Sequence, residues 1–251
     1  MKDQKSDPLS ASQDNESALR ERVGVAIQQI MEPYFERYRE NANRIMNLVM
    51  LYISLKQNPG AETHSTLDDI LRASVVFTHA TLEDFLRTLA FRLLPMTDEE
   101  ILNQIPLLSL NTSGRPEKYL LGSLAQFRKK TVEDVIQESV MSFLQRSNYN
   151  NITDIVQLLK SLKVDVTKVD RSFSSIERLM ERRHSIVHRA DRGGSARSTT
   201  NDLLDIYPTD VMAWLEAVLH LIGDILSQTA VSELINIGFM KQEGNKFKID
   251  S

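Results

Sequence analysis

The amino-acid sequence predicts an all-α protein, a bundle of several helices. Three observations predict it. Apolar residues recur at three- and four-residue steps through most of the chain, the spacing that gathers them on one face of a helix. Aromatic residues make up 6%, and Leu, Ile and Ala prevail over the β-branched and aromatic runs that suit strands. No apolar–polar alternation of useful length is present, and there is no internal repeat.

The elements follow in order. Residues 1–17 are polar with almost nothing to bury and read as a disordered arm. From Ala18 to Gln57 the positions Val23, Ile27, Ile30, Phe35, Tyr38, Ile45, Leu48, Val49, Tyr52 and Leu55 keep helical spacing, so residues 18–60 form an N-terminal helical extension. Pro33 predicts a break or kink within it, and Asn58-Pro59-Gly60 a stop. A second long helix is expected over Ser65–Leu94, capped by Thr66 and ended by Pro95. Its broad stripe includes Leu67, Leu71, Ser74, Val75, Thr78, Leu82, Phe85, Leu86 and Leu89. A short helix from Asp98 to Ile105, a loop over Asn111–Pro116, and helices over Leu120–Phe127 and Thr131–Gln145 come next. A polar turn, Arg146–Asn151, leads to an amphipathic segment over Asn151–Lys163.

The following helix starts near Phe173 or Ser174. Ile176, Leu179 and Met180 form its stripe, which Arg183 continues, and the polar, glycine-containing run after Ala190 ends it. A closing helix over Tyr207–Ala230 carries Val211, Trp214, Leu215, Val218, Leu219, Ile222 and Ile225. Trp214 reads there as core rather than as a platform for stacking bases. Residues 61–232 are thus expected as the main helical domain, and residues 233–251 as a short, charged, loose tail.

Composition narrows the function classes. The chain has 251 residues, 41% hydrophobic and 25% charged, an ordinary globular balance with enough length for a full core. It has no cysteine, which removes disulfides, thiolate zinc sites and thiol nucleophiles. No stretch approaches 18 uninterrupted apolar residues, and Met1–Glu16 lacks the apolar core of a secretory signal. The expectation is a cytoplasmic protein with no membrane partner. A net charge of −4 argues against a surface coated with nucleic acid. Residues 171–200 depart from that mean. They carry Arg171, Arg178, Arg182, Arg183, Arg189, Arg192 and Arg197 against Glu177, Glu181 and Asp191, an excess of four positive charges. All seven cations are arginine, whose planar fork suits phosphate.

Within that segment, Arg182–Arg189 (RRHSIVHR) concentrates the chemistry. Arg183 continues a buried stripe, where an ion that keeps its proton must either reach solvent or meet an anion. His188 follows five residues later at the helix end, where a frayed turn would bring its ring to the same side. His184, four residues before His188, shares a face with it. Three readings stay open on spacing alone. The segment is a solvated basic helix end, favoured by the negative pole of the helix. Or His184 and His188 bind a metal, though the glutamate of the zinc-protease motif and a third ligand are missing. Or the segment cuts RNA without a metal. That chemistry needs proton transfer near neutral pH, which histidine supplies, and a fixed cation on the phosphate, which arginine supplies.

The run Arg183-His184-Ser185-Ile186-Val187-His188, continued by Arg189-Ala190-Asp191, resembles the R-x4-6-H signature of HEPN domains, in the style of their RiboL-PSP branch. Ala80–Arg87 is similar to the first core helix of such domains, and Phe143–Val166 to the helix, polar turn and helix before the motif helix. The resemblance covers residues 65 to 230. It implies a multi-helix bundle of HEPN type that pairs with a second copy, so that two motifs face each other and cut RNA by 2′-OH attack. The products are a cyclic phosphate and a free 5′-OH, no metal or other cofactor is needed, and the role is that of a toxin or antiviral defence effector, with an antitoxin or defence partner.

Carried onto this chain, Arg183 binds the scissile phosphate, His188 is general base or acid, and His184 positions one of them. Arg182, Arg189 and Arg192 attract RNA electrostatically. Glu83 shares a helix face with His79 and Arg87 and is a candidate to hold Arg183 across the bundle. An ordinary i,i+4 pair with Arg87 is its alternative. The alternative for the whole chain is a non-catalytic module of the same fold that binds RNA or protein. His64 and His220 have no partner that the sequence names.

Overall fold

A computed structural model describes residues 8–57, 64–107, 125–193, 203–236, 240–243 and 246–249. The helices are α1 (Pro8–Lys56), α2 (His64–Leu93), α3 (Glu99–Leu102), α4 (Val132–Arg146), α5 (Ile152–Ser161), α6 (Phe173–Arg189) and α7 (Pro208–Asn236). One 3-10 turn follows α2 and two precede α6. The chain divides into two compact units, one of residues 1–40 with 226–251, the other of residues 41–225.

In the first unit α1 begins at Pro8, so residues 8–17, expected as an arm, are helical, and Pro33 lies inside the helix without ending it. After α7 two four-residue strands, β1 (Met240–Glu243) and β2 (Lys246–Ile249), form an antiparallel hairpin with Met240 opposite Ile249. The sequence reading expected a loose tail here. Four-residue strands are too short for alternation to stand out, yet Gly244-Asn245 between them is a hairpin-turn dipeptide.

In the second unit α2 is central and packs against α4 and α6, while α5 packs on α6. Leu71, Val75, Leu82, Phe85, Leu86 and Leu89 of α2 are buried together with Ile155, Ile176, Leu179, Val211 and Val218. Three of the buried polar residues of α2 carry hydroxyls, and the helix itself satisfies them. The Ser74 hydroxyl donates to the Ile70 carbonyl at 2.8 Å, Thr78 to Ser74 at 2.8 Å and Thr81 to Phe77 at 2.9 Å. Helix α2 starts at His64, so Thr66 lies in its first turn instead of capping it. The end of α1 is tied to α2 by Tyr52, which donates to Asp68 at 3.1 Å and accepts from Lys56 at 2.7 Å.

The remaining elements have local causes. Thr131 and Asp134 form a reciprocal capping box that starts α4, and Asn151 caps α5 through the Asp154 N–H at 2.9 Å. The expected helix over Asp98–Ile105 is a single turn, α3. Of the expected helix over Leu120–Phe127, residues 125–127 form a 3-10 turn and the rest lies outside the described residues, as does the loop Asn111–Pro116.

Candidate functional site

Helix α6 runs regularly to Arg189 and then stops sharply. Ala190 and Asp191 both adopt left-handed backbone, with φ of 49° and 58°. The N–H of Asp191 turns back to the Ser185 carbonyl at 3.0 Å, and the Ala190 N–H bonds the same carbonyl. Neither residue is glycine, so each left-handed position costs about 1 kcal/mol that other contacts must offset. The sequence places the stop after Ala190, within a residue of where it falls.

The offsetting contacts converge on Asp191, which is fully buried. Its Oδ2 accepts from Arg72 Nε at 2.6 Å and from Arg182 at 2.7 Å. Both guanidinium groups also donate to the Leu204 carbonyl at 3.0 Å. The Leu204 N–H in turn donates to the Asp191 carbonyl at 2.9 Å, and Arg192 bridges to Leu203. Arg182, expected among the RNA-facing cations, is therefore committed inside the protein. Nothing in the sequence pointed to a partner nine residues on, across a left-handed turn.

Arg183 is half-buried on the side of α6 that carries Ile176, Leu179 and Met180. Among the described residues no carboxylate pairs with it. Its charge acts on His79 of α2. Burial and then the Arg183 charge push the His79 imidazole below its ordinary 6.5, against smaller opposing pulls from Glu83 and the Tyr149 carbonyl. His79 is 2% exposed and its Nε2 has no hydrogen-bond partner.

Glu83 bonds Arg87 at 2.8 Å, one turn on. Arg87 also donates to the Leu144 and Ser147 carbonyls at the end of α4 and lies over the Tyr149 ring, 5.8 Å from its centroid. Of the two readings of Glu83, the structure thus gives the local pair. Burial among these neighbours pushes the Tyr149 hydroxyl up to about 12.

His184 and His188 are exposed, with ring centroids 4.7 Å apart and planes tilted by 43°. The helix is regular through both, so the frayed turn expected to swing His188 towards Arg183 is absent. Five residues of α-helix separate Arg183 and His188 by about 140° around the axis. Arg189 and Arg192 are exposed, and so is Val187. Exposed His220 lies 4.0 Å from Glu216, a partner the sequence reading did not name, and the His64 side chain lies outside the description.

Trp214 corrects its expected place in the core. It is half-buried and lines an open groove of about 590 Å³ between α6 and α7, opposite Glu181 and Ser185. Among the described residues no three His, Asp or Glu side chains gather as a metal ion would need, and no helix is long and apolar enough to cross a membrane.

The sequence matches the RiboL-PSP-HEPN family over residues 39–228. That span nearly coincides with the compact unit of residues 41–225 and begins inside α1, earlier than residue 61, where the sequence reading placed the domain. No curated protein and no solved structure matches the chain.

Proposed function

This chain belongs to the RiboL-PSP-HEPN family, and from that membership we propose that it is a metal-independent endoribonuclease acting as a homodimer. One observation carries the reading. Arg183 is a half-buried guanidinium with which no carboxylate pairs among the described residues, on the helix that ends in exposed His184 and His188. A cation held without an internal counter-ion suits an external phosphate, since it stays charged and bonds two oxygens at once.

The reaction follows from those groups. One His188 takes the proton from a ribose 2′-OH, and the oxygen forms a bond to phosphorus. The bond from phosphorus to O5′ breaks, and a second His188, from the other copy, protonates the leaving oxygen. Arg183 stabilises the charge that grows on the phosphate oxygens. The products are a 2′,3′-cyclic phosphate and a 5′-OH. The wide separation of Arg183 and His188 around α6 is why the site needs a second chain: one copy's helix does not aim both groups at one point. Arg189 and Arg192 draw RNA to that end, and the biological role is a toxin or a defence effector under the control of a partner.

The same separation favours a second reading, a non-catalytic RNA- or protein-binding module of this fold. Purified protein incubated with RNA and EDTA distinguishes them: cleavage lost in Arg183→Ala and His188→Ala supports the enzyme, while RNA left intact by a dimeric protein supports the module.

A further inference from the structure

The α6–α7 groove has no part in the chemistry above, yet its α6 wall runs towards it. Glu181, Ser185 and His188 stand at i, i+4 and i+7 on one side of the helix, and His188 lies about 4.5 Å of helix rise beyond Ser185. The groove volume, about 590 Å³, falls within the range of roughly 300–1,000 Å³ typical of small-ligand sites.

Its lining has a particular chemistry. The opposite wall offers the half-buried indole of Trp214, a flat surface on which a base can stack. Two arginines, Arg178 and Arg182, and two carboxylates, Glu181 and Asp210, line it as well. Arg182 is held by buried Asp191, which it shares with Arg72, so the charged groups left to meet a ligand are Arg178, Glu181 and Asp210. Its two carboxylates offer acceptors to N–H donors. Among the RNA bases guanine presents two adjacent donor groups, N1–H and the exocyclic amine, which one carboxylate accepts side by side. Uracil offers a single N–H between two carbonyls, which the carboxylates disfavour.

Resting on the ribonuclease reading, we infer that this groove holds an unpaired guanine base of the RNA, on the nucleotide next to the phosphate that is cut. Asp210 reads the base edge and Trp214 stacks on its face. The site thereby supplies a sequence preference that the catalytic groups, which meet only phosphate and ribose, do not.

Trp214 is the only tryptophan in the chain, so its emission reports on the groove directly. The probes are two 2′-O-methyl hexanucleotides, one alternating adenosine with guanosine and one adenosine with uridine, whose blocked 2′-oxygens prevent cleavage. The guanosine hexamer is expected to quench Trp214 to saturation and to bind about tenfold tighter than the uridine hexamer. Trp214→Ala, followed by anisotropy of a labelled hexamer, weakens binding about tenfold. Asp210→Asn, at an exposed position that leaves folding intact, removes the preference for guanosine. Binding seen by anisotropy without quenching, equal quenching by both hexamers, or no binding of either overturns the inference. Tighter binding of guanosine monophosphate than of the hexamer overturns RNA as the ligand. Cleavage is read separately. Guanine-dependent quenching in a protein that cuts no RNA sinks the ribonuclease reading and leaves the groove as the guanine site of a non-catalytic module, while cleavage without quenching sinks this inference alone.

Discussion

Arg182 donates to the carboxylate of Asp191 at 2.7 Å, joining the last turns of α6 to the residue just past its left-handed end. The contact explains how two non-glycine residues hold a glycine-like conformation. It also separates Arg182 from Arg183: one guanidinium is fixed within the protein, and its neighbour has no carboxylate partner among the described residues.

The first prediction concerns that anchor. Asp191→Ala leaves Arg72, itself 6% exposed, without its buried counter-ion. Breaking a buried pair from one side costs about 3–5 kcal/mol. Urea unfolding at neutral pH measures it, and a loss under about 1 kcal/mol would show that the turn is held by something else.

Glu83 gives a contrasting case. Its pair with Arg87 is partly exposed and local, so Glu83→Gln changes stability by about 0.5 kcal/mol and RNA cleavage by less than about threefold. Arg87→Ala strips a donor from two carbonyls at the end of α4 and costs about 2 kcal/mol or more. A large loss of cleavage in Glu83→Gln would restore Glu83 as the support for Arg183.

These residues also mark how far the sequence could be read. Helices α2, α4, α5 and α6, and the start of α7, were legible within a few residues because each buries one stripe and has a polar start or stop, while α7 runs six residues past the expected Ala230. Trp214 was misplaced because a periodic position says which face a residue occupies, not how far the neighbouring helix covers it. The Asp191 anchor was invisible for a different reason: Arg72 is 119 residues away, and no spacing rule links them. The β1–β2 hairpin was missed because its strands are too short for a period to register.

A pH dependence follows from His79. Its imidazole sits below 6.5 in the folded chain because burial and the Arg183 charge disfavour the proton. The unfolded chain therefore binds that proton more readily. The stabilisation is complete above 6.5 and is lost as the pH falls from there through the depressed folded value. Urea midpoints between about pH 7.5 and 5 are expected to fall less steeply in His79→Gln than in the unsubstituted protein. Parallel profiles would show that folding leaves the proton affinity of His79 unchanged.

Dimerisation gives a further test. Val187, between His184 and His188 in sequence, is 48% exposed at the end of α6 that two copies would share. Sedimentation of the unsubstituted chain is expected to give about twice 28.6 kDa, and Val187→Glu a monomer that no longer cuts RNA. A variant that still dimerises and still cuts would move the interface elsewhere.

The central claim rests on Arg183 and His188, and cleavage of RNA in EDTA tests it most directly. The unsubstituted protein is expected to yield 2′,3′-cyclic phosphate and 5′-OH ends. Arg183→Ala should slow cleavage by about 10²–10³-fold. His188→Ala should slow it by about 10²–10⁴-fold, with both variants folded and dimeric. Intact RNA with the dimeric unsubstituted protein, or undiminished cleavage by His188→Ala, would contradict the account.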